Sequence, residues 1–235
     1  MPDVPCPLGP PMKAMILAAG RGNRMRPLTD HTPKPLLAVG GRALIVHQIR
    51  RLRDAGITEL VINHAHLGEQ IEQALGDGRA YDVRIQYSPE GPGQALETGG
   101  GIHRALALLG SEPFLVVNGD IWCDLDYRCL RLGAQDLAQI VLVDNPPHHP
   151  EGDFALRAGR ARLDAGADPR LTFAGIGLYR PHLFADREPG AFPLAPLLRA
   201  AMAAGRCGGL YHAGVWLDIG TPERLQALDR MLRNT

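Results

Sequence analysis

Short apolar runs alternate with amphipathic helical patterns through the first two-thirds of the sequence, and this alternation predicts an α/β protein. The first apolar run stops at a glycine-bearing, arginine-rich loop, "AAGRGNRMRP", placed where open α/β sheets bind ligands. After about residue 145 the rhythm changes to turn-rich segments interrupted by single strands and helices. Together these observations predict a Rossmann-like mixed, mostly parallel sheet with helices on both faces, followed by a smaller lobe. The expected organisation is one domain over 12–235, with 12–145 binding one ligand and 146–235 completing the site.

The first eleven residues, "MPDVPCPLGPP", carry no basic start and no apolar stretch, so they do not read as a signal peptide. Their prolines predict a disordered lead-in over 1–11, with the working fold beginning at Met12. "KAMILAA" is then strand-like. "ALIVHQIRRLRDAG" places Ile45, Ile49 and Leu52 on one helical face and stops at Gly56. "ELVINH" reads as a second strand and "LGEQIEQALGDG" as a second helix. "VRIQYS" and "GGIHRALALLG" repeat the pair, "PFLVVNGD" is a fourth strand and "QIVLVD" a fifth. Strands separated by helices of this length pair in parallel through right-handed crossovers.

Beyond residue 145, "NPPHHPEGD" is a turn-rich loop and "LTFAGIGLYRP" alternates like a strand. Leu194, Leu197, Leu198, Ala201 and Met202 form a helical stripe, and "GVWLDIG" is strand-like. Thr221 caps a last helix with Pro222 at its first position. Leu225, Leu228 and Leu232 lie on its inner face, and Arg230 and Arg233 near its end.

With 45% hydrophobic residues, the 235-residue chain can bury a sizeable core. Its formal net charge of zero removes any global attraction to nucleic acid or anionic membrane, so a basic function must be local. No apolar run approaches the roughly 20 residues that a membrane helix needs. Cys6, Cys123, Cys129 and Cys207 show no paired metal spacing and read as free thiols in a reducing cytoplasm. Small molecules are therefore the expected partners, and a monomer is the default expectation.

The opening loop lacks the third glycine of a dinucleotide fingerprint, where Met25 stands, and the Gly-Lys-Ser/Thr of a P-loop. What remains is Gly20 and Gly22, which let backbone N–H groups approach an anion, with Arg24, Arg26 and Lys34 in reach. A phosphate is the expected ligand; the competing reading is a solubilising surface loop. Two carboxylates end apolar runs, Asp120 in "VVNGDIW" and Asp218 in "VWLDIGT". Asn118–Gly119 could instead mark a hairpin, but "DIWCDLDY" does not resume a clean returning strand. Beside a polyphosphate, two carboxylates suit Mg²⁺, which takes one or two of them and completes its shell with water and phosphate oxygens.

"LAAGRGNRMRPLT" followed by "TPKPLL" resembles the signature of sugar-1-phosphate nucleotidylyltransferases, enzymes of a nucleotidyltransferase GT-A-like fold. The resemblance implies a loop wrapped round a nucleoside triphosphate, with Ala18, Ala19, Gly20, Gly22 and Asn23 along it. It makes Arg24 the catalytic arginine and Lys34 the phosphate-binding lysine, and it makes Asp120 and Asp218 the metal ligands. Asn118 would approach the ribose or phosphate. "ETGGGI" would lie over the nucleobase, giving Thr98 and Gly99 as nucleotide contacts, with Glu97 near the family's base-contacting glycine. "HHPEGDF" is similar to the sugar-facing loop, giving Gly152 and Asp153, and "LTFAGIGLY" supplies Gly175 to the sugar pocket. His148 and His149 are set aside as metal ligands because adjacent side chains point apart.

Within the family, "ETGGGI", "NGDIW", "GAFPLAPLLRAAM" and "VWLDIGT" look like the N-acetylmuramate-1-phosphate uridylyltransferases of cell-wall recycling. The implied substrates are UTP and N-acetyl-α-muramate 1-phosphate, with Mg²⁺ as cofactor and UDP-N-acetylmuramate and pyrophosphate as products. The alternatives are a sister enzyme using mannose 1-phosphate with GTP, glucose 1-phosphate, or phosphocholine with CTP. A non-catalytic nucleotide-sugar sensor could dispense with Arg24, Lys34 or either aspartate, all four of which are present.

Overall fold

A computed structural model describes residues 12–91, 95–166 and 168–234; the expected lead-in and Cys6 lie outside them. Strand β1 (Lys13–Leu17) is apolar on both sides. Ala14 and Ile16 join one buried cluster, Met15 joins another, and all three are inaccessible. Such a strand belongs inside a sheet covered on both faces. The hairpin β2 (Ala38–Val39) and β3 (Arg42–Ala43) follows, turned by Gly40–Gly41, both at positive φ. Helix α1 (Leu44–Asp54) then buries Ile45, Ile49 and Leu52 and returns the chain to β4 (Glu59–His64), which pairs with β1 in parallel. Helix α2 (Gly68–Leu75) leads to β5 (Arg84–Pro89), parallel to β4. Helix α3 (Glu97–Leu109) leads to β6 (Phe114–Asn118), parallel to β1 on its other side.

From β6 onward the pairing changes character. The short strand β7 (Ile121–Cys123) leaves the main sheet, β8 (Ala138–Val143) rejoins it, and β9 (Phe154–Arg157) and β10 (Arg160–Arg162) form a hairpin. The ten-residue β11 (Arg170–Tyr179), helix α4 (Ala195–Ala203), β12 (Cys207–Tyr211), β13 (Trp216–Asp218) and helix α5 (Pro222–Arg233) complete the chain. The main sheet has the order β5-β4-β1-β6-β11-β8-β12-β10-β9. Its joins β5–β4, β4–β1, β1–β6 and β8–β12 are parallel and the remaining four antiparallel. The expectation of a mostly parallel sheet is therefore corrected to an evenly mixed one. The reason is connection length. Ala158–Gly159, both at positive φ, can only fold β9 back on β10, whereas a parallel join needs a crossover of a dozen residues or more.

Helices cover both faces as expected, α1 and α2 against one cluster, α3 and α4 against the other. Of the strands after residue 146, β9 to β12 enter this same sheet, with β11 next to β6 near its middle, while β13 pairs with β7 outside it. Helix α5 even returns to the N-terminal part. Leu225 and Leu228 pack with Met25, Leu37, Leu44 and Ile219, and Asp229 Oδ1 accepts the Gly40 N–H at 2.8 Å. Its start follows the sequence, with Pro222 at the first position and the Thr221 hydroxyl accepting from the Arg224 N–H. Among the described residues, Cys123, Cys129 and Cys207 are free; burial pushes the Cys123 thiol up to about 11 and Cys207 up to about 12. No described helix is long and apolar enough to cross a membrane.

The docking of α5 carries a pH signature. The Arg233 guanidinium, and then the Gly40 N–H, hold the Asp229 carboxyl below the ordinary carboxylate range. A depressed carboxylate stabilises the fold above its unfolded value of about 3.9 and loses that contribution as pH falls through the folded value. Asp229→Asn should therefore be less stable than the parent at pH 7, and the gap should close below about pH 4. Urea unfolding at both pH values measures it; an unchanged gap at pH 3 would contradict this account of the contact.

Candidate active site

In the sheet order, β1 has β4 on one side and β6 on the other, so the chain reverses its direction of growth there. Loops leaving the carboxyl ends of β1 and β6 enclose a crevice, the usual ligand position in such sheets. Gly119 closes the two loops together. Its N–H donates to the Leu17 carbonyl at 2.8 Å, and a Cβ there would lie 2.6 Å from that oxygen.

The crevice opens into a cavity of about 230 Å³ lined by Ala18, Ala19, Gly20, Lys34, Thr98 and Asp120. Its floor is a buried polar relay. The Ala18 N–H donates to Asn63 Oδ1 at 2.9 Å, and Asn63 Nδ2 donates to Glu90 Oε1 at 2.6 Å. Glu90 Oε2 accepts the Leu96 N–H at 2.8 Å. Asn63 and Glu90 are both buried, and this relay ties the opening loop to the segment before α3. Gly101 of α3 leaves room for it, since a Cβ would meet Glu90 Oε1 at 2.6 Å.

The opening loop turns at Gly22, whose left-handed backbone strains any side chain and whose Cβ position would lie 3.0 Å from Thr29 and 3.2 Å from Lys34. Asn23–Met25 forms a single 3-10 turn anchored by the fully buried Met25 against Ile219 and Leu225. Asn23 and Arg24 are exposed on it, and an Arg24 nitrogen lies 3.3 Å from the position of a Cβ on Gly220. Arg24 thus reaches the turn that follows Asp218. Arg26 does not join it; it pairs with Asp30 on the surface at 3.3 Å.

The two aspartates meet through β7 and β13. These strands pair antiparallel with Asp218 opposite Ile121, and the Ile219 N–H donates to the Asp120 carbonyl at 2.7 Å. "IWC" forms a short strand that pairs with β13 and not back onto β6, so the Asn118–Gly119 turn is not a hairpin, in line with the sequence reading. Each carboxylate holds cations. Lys34 Nζ is 2.7 Å from Asp120 Oδ2, with the lysine side chain almost buried. Asp218 is gripped by Arg224 and lies 3.1 Å from His148 Nε2, and Arg224 also contacts His148 at 3.0 Å. His148 and His149 do point apart, the latter toward Asp153 at 3.2 Å, yet His148 belongs to the site through its contacts with Asp218 and Arg224. The two aspartates offer hard oxygen donors, which is the donor chemistry that suits Mg²⁺. A separate Cys123–Asp124–His212 group has ligating atoms within 4.8 Å of one another, but His212 already bonds Asp124 at 2.7 Å and the thiol is buried.

Two further cavities adjoin the first. One of about 340 Å³ is lined by Asn118, Asp120, His148, Gly175, Trp216 and Asp218. The other, about 370 Å³, is lined by Thr98, Asn118, Gly152, Asp153, Phe173 and Arg199 among others. Asn118 lines all three and Asp120 two of them. Gly175 sits at a bulge in β11 with φ 73°, where a Cβ would lie 2.5 Å from Asn118 Nδ2, and Trp216 Nε1 bonds the neighbouring Ala174 carbonyl at 2.9 Å. Gly152 is likewise left-handed, against Asn145 and Arg170. Asp153 lines its cavity while its Oδ2 accepts the Phe173 N–H at 2.8 Å. At Gly99 a Cβ would strike the Phe192 ring at 2.5 Å, so close packing between α3 and the 190–194 segment requires a glycine there.

Sequence reasoning missed Asn63, Glu90, Arg224 and Arg199. Asn63 carried a signal, a polar residue inside an otherwise apolar strand; the others sit in ordinary polar contexts and reveal themselves only through what they touch.

Residues 13–156 match the family model described as nucleotidyl transferase. The chain is 55% identical over 222 residues to the N-acetylmuramate alpha-1-phosphate uridylyltransferase of Neisseria meningitidis serogroup B, covering 92% of this chain and 96% of that one. It is 36% identical to the enzyme of the same name from Caulobacter vibrioides, covering 94% and 97%. A mannose-1-phosphate guanyltransferase of Aspergillus fumigatus is 30% identical, with 62% of its length covered. Among solved structures, a Bacillus anthracis protein described as a glucose-1-phosphate thymidylyltransferase superposes with a TM-score of 0.81 at 24% identity, over 95% of this chain and 96% of that one, which speaks for the fold alone. By the family match and by these identities, the chain belongs to the nucleotidyl transferase family.

Proposed function

We propose that the chain transfers a uridylyl group from UTP to N-acetyl-α-muramate 1-phosphate, releasing pyrophosphate and forming UDP-N-acetylmuramate, as a step of peptidoglycan recycling. The reaction class is supported by one observation above others: Asp120, paired to Lys34, stands in the wall shared by the nucleotide-side cavity and the cavity that holds Asp218. The choice of substrates is supported by the name of the Neisseria relative and its identity along nearly the whole of both chains.

In this reading the part up to residue 145 holds the triphosphate and the part after it receives the sugar phosphate. The backbone of Ala18–Gly22 cradles phosphates, Thr98 and Asn118 border the nucleoside, and Gly152, Asp153 and Gly175 border the sugar. A sugar 1-phosphate is already an anionic nucleophile, so no general base is required. The obstacle is repulsion: two like charges at 4 Å cost about 4 kcal/mol at an effective dielectric of 20. Lys34 and Arg24 offset that repulsion and the fixed cavity walls align the attack on the α-phosphorus. Asp120 and Asp218 would hold Mg²⁺, which when bound supplies further charge neutralisation and orients phosphate oxygens. Lys34 and Arg224, held beside these carboxylates, are the side chains that would face the phosphates of the two substrates.

Two measurements test this. Asp218→Asn should keep the fold and cut turnover by at least about 100-fold, the scale of losing a charge-stabilising group; circular dichroism and pyrophosphate release report the two halves, and near-normal activity would remove Asp218 from the reaction. A grid of triphosphates against acceptors should give the highest kcat/KM for UTP with N-acetylmuramate 1-phosphate. A higher value for mannose 1-phosphate with GTP would replace the substrate assignment.

A further inference from the structure

The cavity of about 370 Å³ contains two guanidinium groups in different circumstances. Arg170 is committed to the backbone, donating to the Asp153 carbonyl at 3.0 Å and the Leu163 carbonyl at 3.1 Å. The Asp153 carboxylate is also engaged, by the Phe173 N–H and by His149. Arg199 lines the same space, is exposed, and makes no hydrogen bond or ion pair with a described residue. Its helix is firmly seated, with Leu197, Leu198, Ala201 and Met202 of α4 buried in the core. The structure thus presents an uncommitted cation from a rigid element. It lies in the cavity that adjoins Asn118 and Thr98 but contains neither Asp120 nor Asp218. An anionic group that meets Arg199 therefore differs from the phosphate drawn to the aspartate-bearing cavity.

N-acetylmuramate differs from a neutral N-acetylhexosamine by a lactyl ether that ends in a carboxylate. We propose that Arg199 binds this carboxylate and thereby selects N-acetylmuramate 1-phosphate over its neutral counterpart. The inference rests on the acceptor proposed above. A guanidinium suits the task because its planar donors pair with both carboxylate oxygens. Charge-assisted hydrogen bonds of this type are worth roughly a 10- to 100-fold change in affinity.

The test is calorimetric titration of the intact protein with N-acetylmuramate 1-phosphate and with N-acetylglucosamine 1-phosphate, which lacks the lactyl group. In Arg199→Gln, the Kd for the first should rise roughly 10- to 100-fold, while the Kd for the second moves by less than about threefold. Arg199→Lys should recover part of the loss, because it restores charge without the planar fork. Equal weakening of both ligands, or no change for either, would overturn the proposal. If the parent protein itself shows no preference for the lactyl-bearing sugar, the acceptor assignment fails first, and the two failures are told apart by that parent measurement.

Discussion

The antiparallel pairing of β7 with β13 brings Asp120 and Asp218, far apart in the chain, to one place. That pairing is too short to hold itself, since three residues of ladder are marginal without support. Its support comes from the core. Gln48 of α1, fully buried, donates to the Ile121 carbonyl at 2.6 Å and receives the Tyr127 hydroxyl at 2.9 Å. Arg51, one turn further on, stacks 5.6 Å from the Trp122 ring centre. From the other side, Trp216 is tied to β11 through Ala174, and Ile219 is sunk in the cluster that α5 closes. The ribbon is thus clamped between α1, β11 and α5, and the position of both carboxylates depends on all three.

The charges around the ribbon are unequally exposed, and this decides which of them is structural. The Lys34 side chain is 9% exposed and its partner Asp120 43%. An almost buried ammonium left without its carboxylate is costly, whereas a half-exposed carboxylate is partly repaid by water. Lys34 therefore depends on Asp120 more than the reverse. Asp218, a quarter exposed, sits between Arg224 and His148, so each of the two carboxylates has a cation held beside it before any phosphate arrives. Adding a polyphosphate to such a centre brings negative charge to cations that are already oriented, which is the arrangement electrostatic preorganisation requires.

Much of this was legible in the sequence where periodicity and chemistry coincide. Strand "ELVINH" is found over Glu59–His64 as expected, the α5 cap at Thr221 is present, and Lys34, Asp120 and Asp218 do converge. The antiparallel half was less legible because its strands look unlike strands. "RAGRAR" is polar around its turn, and "CGGLY" has two glycines, a poor strand former whose place in β12 is fixed by neighbours. The buried polar residues were invisible for another reason. Gln48 on a helix and Glu90 after a strand acquire meaning only from long-range partners, and no local pattern encodes those. Glu97 lies between these cases. Its resemblance-based position asked for glycine, and the structure gives it φ 56°, a left-handed backbone that costs a non-glycine residue roughly 1–2 kcal/mol.

The mixed sheet also has a geometric consequence that an all-parallel one would lack. A parallel neighbour of β6 would end at the same edge as β6 does. β11 runs the opposite way, with Ile176 opposite Val117, so its first residues continue past the carboxyl end of β6. At roughly 3.4 Å per residue, the Arg170–Gly175 stretch projects on the order of 15–20 Å over the crevice. It is this overhang that carries Phe173, the Gly175 bulge and the Ala174 carbonyl that anchors Trp216. The absence of a side chain at Gly175 lets Asn118 lie against the overhang, and Asn118 in turn borders every cavity of the site. Reversing one strand at the centre of the sheet is thus what turns the open edge left by β1 and β6 into an enclosed one, with room on its far side for a second substrate.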